Sequence, residues 1–314
     1  MRTTDASRAT TEAIDPASSD LDLRPTGDVL STLLASQRRA LDAVDAARPA
    51  LERAVTAAAS RLGGGDGRLV FVGAGASGRL AAQDGAELWP TFGWPAARLA
   101  LVVAGGEKAL LASVEGVEDD AAAARDDVDA RGIGAGDVVI ALAASGRSPW
   151  TCAWLKTARA RGALAIGVAN NADTPLLVAA DCPVLLDSGA EVLAGSTRMA
   201  AGTAQKVALN LFSTTLMVRL NRTHGNLMVD MAAANAKLDA RRVRLLQGVL
   251  PMLDEAAART ALAAADGWVK LAALIARGDA ADSARRRLDA HSGSLRAALA
   301  ALDEERATSG RGKS

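Results

Sequence analysis

The 314-residue chain has no tyrosine and only three phenylalanines, so its core must be built from small and aliphatic side chains. Half of the residues are hydrophobic and alanine leads that fraction, which suits close packing of helix on helix and helix on sheet. Cysteine is scarce as well. Cys152 and Cys182 are the two present, and no Cys/His group has metal-ligand spacing. That argues against a disulfide framework and for a reducing compartment. Net charge is missing too: 36 Lys and Arg balance 36 Asp and Glu, so nothing in the composition argues for a nucleic acid partner. No apolar run reaches the roughly 18 residues of a membrane span. The polar start "MRTTDASRATTEAIDPASSDLDLRP" has no signal-peptide core. Together these absences predict a soluble, cytoplasmic protein without membrane contact.

What is present is organised. The length fits one large domain with a small one. Residues 1–25 read as an irregular segment and residues 26–62 as a helical arm. In "GDVLSTLLASQRRALDAV", Val29, Leu30, Leu33, Leu34, Leu41 and Val44 share one broad stripe at helical spacing. After "GGGDG" the pattern changes. The runs "RLVFVG", "RLALVVAGG", "DVVIALAAS", "ALAIGVAN" and "CPVLLD" read as buried strands, separated by helical segments and Gly-rich turns. Such alternation predicts an α/β fold with a mainly parallel sheet and helices on both faces. From Ser196, "STRMAAGTAQKVALNLFSTTLMVRL" reads as a long apolar helix, either central to the domain or covered by a partner. Residues 63–248 form the main domain on this reading and 249–305 a small helical C-terminal domain. The latter has breaks near Ala265–Gly267 and Arg277–Asp282, and residues 306–314 form a disordered tail.

Two loops share a tetrapeptide. "VGAGASGRLA" and "ALAASGRSPW" both carry Ala-Ser-Gly-Arg, at Ala76–Arg79 and Ala144–Arg147, each directly after an expected strand. The first also satisfies G-x-G-x-x-G through Gly73, Gly75 and Gly78. A dinucleotide site needs an acidic residue about 20 positions on. Glu107 follows Gly78 by 29 residues, which is late. The pair reads better together than singly. Gly75, Ala76, Ser77 and Gly78 of one loop and Ser145, Gly146, Arg147 and Ser148 of the other could bring hydroxyls and backbone N–H groups around one phosphate. The plainer alternative is two ordinary strand–helix turns with Ser as N-cap.

Further stretches carry a resemblance. "PTFG" (Pro90–Gly93), "EGVEDD" (Glu115–Asp120), "EVLAGSTRMAAGTAQK" (Glu191–Lys206) and "GNLMVD" (Gly225–Asp230) accompany the two loops in order. This set resembles the N-acetylmuramic acid 6-phosphate etherases, sugar isomerase (SIS) domain enzymes of cell-wall sugar recycling, over nearly the whole chain. The resemblance implies an SIS-type three-layer sandwich and a carbon–oxygen lyase that releases D-lactate from a sugar phosphate. It also implies a homodimer, and chemistry that needs neither a cofactor nor a metal. The implied catalytic acid falls on Glu87 and the base on Glu118, with Glu115 a secondary candidate on the same helical face. Each carboxylate also has a bland reading, as a solvated helix residue or a first-turn acid favoured by the helix dipole. Ser196 and Lys206 join the implied anion site, where Lys206 could equally be a solvated helix residue. The same fold serves isomerases and a non-catalytic sugar-phosphate-binding regulator, so both remain alternatives.

The chain departs from the family at several points. Ala86-Glu87-Leu88-Trp89-Pro90-Thr91 stands where the family typically has Ser-Glu-Cys-Pro-Pro-Thr. Ala76 stands where the family often has Thr, and Ala200 where it usually has Lys. No departure removes a candidate carboxylate. His224 reads as structural, His291 as a capping or packing residue, Trp150 and Trp154 as a helix-packing pair, and both cysteines as inert.

Overall fold

The computed structural model describes residues 9–231 and 236–311, with side chains for residues 9–231 and 239–308. Five strands form one sheet: β1 (Leu69–Gly73), β2 (Leu99–Val103), β3 (Val138–Leu142), β4 (Leu164–Ala169) and β5 (Cys182–Leu185). Every ladder is parallel and the order is β2-β1-β3-β4-β5. Each strand lies inside the apolar run expected for it. β1, β3 and β4 are buried along their whole length, which is why their sequence is continuously aliphatic rather than alternating. β2 and β5 form the two edges and are only partly covered.

Helices α1 (Thr26–Ala46) and α2 (Arg48–Leu62) precede the sheet. Its connections hold α3 (Gly75–Ala86), α4 (Leu88–Phe92), α5 (Lys108–Leu111), α6 (Ala121–Ala130), α7 (Pro149–Ala160) and α8 (Pro175–Ala179). Then come α9 (Ala200–Arg219), α10 (Ala236–Val249), α11 (Glu255–Ala264), α12 (Val269–Ala276), α13 (Ala281–Ala290) and α14 (Leu295–Arg311).

The sheet is the middle layer of three. On one face Val70, Val72, Val139, Ala141 and Ala165 pack with Ala124 and Val128 of α6, Trp154 and Leu155 of α7 and Leu176 of α8. Trp150 belongs to the same core, so the two tryptophans are a packing pair; the Trp154 indole N–H also donates to Asp127 Oδ2 at 2.9 Å. The other face is covered by α3 over β1 and β2 and by α2 over β3 to β5. The crossover from β1 out to β2 lies on one face, and those leading from β2 through β3 and β4 to β5 lie on the other. Right-handed connections require this when the strand order changes direction. The fold is thus the expected α/β three-layer sandwich.

Chain packing separates two compact units. One contains the described chain up to Ala86 together with Ala96–Thr214; the other contains Glu87–Pro95 and the chain from Thr215 onward. The boundary drawn from composition lay near residue 248. The change of packing partners falls inside α9, an uninterrupted helix, within the polar run Ser213–Thr215. The second unit is built on Leu246, Leu262, Leu271, Leu274, Leu288, Leu295 and Leu302. Its breaks after α11 and α12 fall where they were expected. The tail expected from residue 306 is helical through Arg311; residues 312–314, like residues 1–8, lie outside the described residues.

Two N-terminal expectations also change. Residues 9–25 are not featureless: 3-10 turns occupy Thr10–Glu12, Pro16–Ser18 and Leu21–Leu23. The α1 stripe is only partly used within the chain. Val44 is buried and Val29 and Leu33 half-buried, but Leu30, Leu34 and Leu41 remain 62%, 54% and 51% exposed.

Candidate functional site

The strand order reverses direction between β1 and β3. Both Ala-Ser-Gly-Arg loops leave from there, at the carboxyl ends of two adjacent strands whose last residues, Gly73 and Leu142, are register partners. In open α/β sheets this is where ligands bind. The first loop passes straight into α3. Gly73 and Gly78 let helix and strand close on one another, because a Cβ at Gly78 would lie 2.6 Å from the Gly73 carbonyl oxygen. Gly75 and Ala76 open the helix, Ser77 is buried in its first turn, and the leading N–H groups of such a turn have no acceptor within the helix. Arg79 is committed elsewhere. Its guanidinium donates to the carbonyls of Ala109 (2.8 Å) and Ala112 (2.9 Å), fastening the segment after β2 to α3.

The second loop is held more elaborately. Gly146 takes φ +64° and lies so close to Thr174 that a Cβ would approach its hydroxyl to 2.4 Å. Ser145 Oγ accepts from the Arg147 N–H at 3.1 Å. Ser148 caps α7, its Oγ accepting from the Thr151 N–H at 3.4 Å. Below the loop, the Ala144 carbonyl accepts from the Asn170 N–H and from Asn171 Nδ2. Asn171 is in turn bonded to Thr10 and Thr11 of the N-terminal segment. Two donors at this loop, Arg147 Nε and Thr174 Oγ1, are buried without a hydrogen-bond partner. Two helix N-termini, small residues and hydroxyls on one edge make a place suited to a multiply charged anion.

Glu118 belongs to this edge. It is exposed, in a turn spanning residues 115–119, and not in a helix; α6 starts later, capped by the Asp120 carboxylate on the N–H groups of Ala122 and Ala123. The shared helical face expected for Glu115 and Glu118 therefore does not exist, since Gly116 takes φ +75° between them. Instead, the Glu118 carbonyl accepts from the Trp150 N–H (2.9 Å) and the Ser148 hydroxyl (3.2 Å). Its carboxylate thus hangs from backbone fixed to the second loop.

Glu87 follows the last residue of α3 and stands at the N-cap of α4, exposed, in the second unit. Its carbonyl accepts from the Thr91 N–H at 3.2 Å. Of the departures beside it, Leu88 is buried and Trp89 is half in solvent.

The segment leading into α9 brings Ser196 to the approach of the helix and leaves Lys206 exposed two turns along it. Lys206 Nζ donates to Asn210 Oδ1, and Asn210 Nδ2 donates to Asp84 Oδ1 of α3 at 2.6 Å. Lys206 is exposed and linked through Asn210 to α3. The α9 N-terminus rests on Glu191, whose fully buried carboxylate accepts from the N–H groups of Ala200 (3.0 Å) and Ala201 (2.9 Å). Ala200, the position of the third departure, is itself fully buried.

Sequence reasoning did not single out Glu191, Asn171, Thr174 or Asp84 as individual residues. Glu191 left a signal, an acid shortly before the Gly-Ser-Thr that leads into an apolar helix. The others act through contacts distant in sequence. His291 closes α13 as its C-cap, and burial lowers the His224 pKa. Burial pushes the Cys152 thiol up to about 11 and also raises Cys182. Among the described residues no cluster of His, Cys, Asp or Glu could hold a metal ion, and no helix is long and apolar enough to cross a membrane.

Comparison with known proteins bears on the same stretches. The family model of the glucokinase regulatory protein N-terminal SIS domain matches residues 50–159, and that of the SIS domain matches residues 114–215. A protein of Deinococcus radiodurans named N-acetylmuramic acid 6-phosphate etherase is 49% identical over 290 residues, 92% of this chain and 94% of that one. Proteins of the same name from Streptomyces avermitilis and Rubrobacter xylanophilus are each 43% identical. They cover 93% and 92% of this chain and 94% and 95% of their own.

Proposed function

The chain belongs to the N-acetylmuramic acid 6-phosphate etherase family, and we propose that it is a carbon–oxygen lyase of that specificity. It cleaves the D-lactyl ether of N-acetylmuramic acid 6-phosphate to N-acetylglucosamine 6-phosphate and D-lactate, in recycling of cell-wall amino sugar. The observation that carries this reading is the attachment of Glu118 to the second loop, which gives one edge of the sheet both an anion cradle and a carboxylate.

The substrate phosphate lies against Gly75, Ala76, Ser77 and Gly78 on one side and Ser145, Gly146, Arg147 and Ser148 on the other. The N-termini of α3 and α7 and the Arg147 guanidinium complement its charge. Ser196 and Lys206 complete the surroundings of the anion. Ring opening exposes the C1 aldehyde, which acidifies the C2 proton. Glu118 takes that proton as the C3–O bond breaks, and Glu87 protonates the departing lactate oxygen. Water then adds across the unsaturated aldehyde, its hydroxyl to C3 and a proton to C2. Two carboxyl groups in different protonation states suffice for this sequence.

The chain acts as a cytoplasmic homodimer with its sites near the subunit interface. Leu30, Leu34 and Leu41 on α1, with Leu211 and Val218 on α9, are exposed apolar side chains that a partner would cover. Sedimentation showing only monomer at micromolar concentration would refute the dimer.

Incubation with N-acetylmuramic acid 6-phosphate and measurement of D-lactate tests the activity. Wild type releases lactate, while Glu118→Gln and Glu87→Gln each lose at least about a hundred-fold in kcat. No lactate from wild type sinks the etherase reading and leaves the regulator or the isomerase. Full activity in both variants keeps the reaction and rejects the two carboxylates.

A further inference from the structure

Glu87 is six residues from a buried charge cluster, and every element linking them lies in the second unit. The side chains of Asp230 and Lys270 are each 3% exposed and meet at 2.5 Å. Lys270 Nζ also donates to the Asn221 carbonyl at 2.7 Å, and Asp230 Oδ1 accepts from the Trp268 indole N–H at 2.9 Å. Arg222 stands 3.6 Å from Asp230 Oδ2 and lies over the Trp94 ring, 5.5 Å from its centroid. The main chain of Asp230 touches the same segment. A Cβ added to Gly93 would sit 2.3 Å from the Asp230 carbonyl oxygen, so only glycine fits there, at φ +59°.

Gly93 and Trp94 end the short helix that Glu87 begins. The Gly93 N–H donates to Trp89 and the Trp94 N–H to Leu88, a paired C-terminal closure. At the other end Thr91 bonds back to the Glu87 carbonyl, while Leu88 and Phe92 are buried at 1% and 7%. The segment is thus a rigid piece about 9 Å long, clamped at Gly93–Trp94 and continuous at Glu87 with the end of α3. A buried ion pair is a poor device for stability alone, since apolar side chains of similar volume do as well. It is a good device for fixing one backbone carbonyl in one place.

We propose that the buried Asp230–Lys270 pair positions Glu87 for its part in the reaction, through the contacts of Asp230 and Arg222 with Gly93 and Trp94. This rests on the reading of Glu87 as the acid. It makes "PTFG" and "GNLMVD" two halves of one clamp. Asp230 and Lys270 are positioning residues and touch no substrate.

The test uses the full chain as wild type, Asp230→Asn, Glu87→Gln and the double variant. Two readouts are taken: D-lactate kinetics and hydrogen exchange of the amides of residues 88–94. Asp230→Asn is expected to lower kcat about ten- to hundred-fold with KM within about two-fold. In the Glu87→Gln background the same change adds no more than about two-fold, because both act through one group. Exchange over residues 88–94 rises at least about ten-fold while β1 and β3 are unchanged. Losses that multiply in the double variant, or unaltered exchange over residues 88–94, overturn the proposal. Should Asp230→Asn fail to fold, Trp268→Phe removes one hydrogen bond from the same carboxylate and must move both readouts in the same direction. If wild type releases no lactate, the etherase reading fails, and the exchange measurement still decides whether the pair holds the Glu87 segment.

Discussion

The Ser148 hydroxyl donates to the main-chain carbonyl of Glu118 at 3.2 Å, joining a turn before α6 to the cap of α7 across thirty residues of chain. The same oxygen atom on Ser148 accepts from Thr151, so one side chain holds both the helix start and the carboxylate-bearing turn. Ser148→Ala is expected to cost about 1 kcal/mol through loss of the cap. It should also lower kcat and raise KM together, because the Glu118 turn loosens and the phosphate loses a hydroxyl. Ser148→Thr keeps the oxygen and recovers most of both. Thermal melts beside lactate kinetics check this; a variant with normal kinetics would detach Ser148 from the site.

At the opposite end of β1 and β3, Arg68 and Asp137 close the sheet. The guanidinium reaches both carboxylate oxygens, at 3.1 and 2.7 Å, and the N–H groups of Arg68 and Gly134 donate to them as well. Burial pushes the Asp137 pKa up, but the Arg68 hydrogen bond and these backbone donors outweigh it, and the net shift is downward. A lowered carboxylate pKa stabilises the fold above the unfolded value, about 3.9, and that contribution fades as pH falls through the lower folded value. Asp137→Asn should therefore lose about 2–4 kcal/mol at neutral pH. Below about pH 4 its stability should fall less steeply than that of wild type. Urea unfolding at pH 7 and at several values from 5 downward measures both.

The three central strands were legible because a strand buried on both faces needs an unbroken aliphatic run, and the runs of β1, β2 and β3 end in small residues that suit a tight turn. The twin loops were legible for the same reason. The position of Glu118 was not readable, since its anchor to Ser148 and Trp150 is a long-range contact. Helix α1 shows its amphipathic period but not what covers Leu30, Leu34 and Leu41. The unit boundary inside α9 falls at Ser213–Thr215, but the helix runs through it unbroken, so no loop or linker announces it. Helix α14 runs past residue 306, where the tail was expected, to Arg311, and its polar sequence gives no apolar period by which to read that turn.

Cys152 lies behind the second loop, its thiol facing the Gly146 carbonyl at 3.5 Å. With burial pushing its pKa up to about 11, about one part in a thousand is thiolate at pH 8. Cys182 is raised too, by burial first and by the charge of Asp181 second. Neither thiol should react readily with a thiol-specific disulfide reagent at pH 8 in the folded chain, and both should react at once in denaturant. Rapid labelling of the native protein, with loss of lactate release, would overturn the inert reading.

Glu191 bears on the last helix of the site. Its carboxylate is completely buried, and each oxygen takes one N–H from the first turn of α9, Ala200 on one and Ala201 on the other. A charge so placed interacts with the helix dipole and with two donors that the helix itself leaves unpaired. Glutamine has nearly the same shape, but one of its two terminal groups is a donor, which would face a backbone N–H and leave it buried and unbonded. Glu191→Gln should thus cost about 2–4 kcal/mol, more than the cap at Ser148 despite the smaller change in volume. Because α9 carries Lys206, and Ser196 sits at its approach, the loss should extend to substrate affinity, with KM rising further than kcat falls. Equilibrium unfolding and steady-state kinetics on one preparation decide it. A Glu191→Gln chain as stable as wild type would mean that the α9 N-terminus finds its acceptors elsewhere.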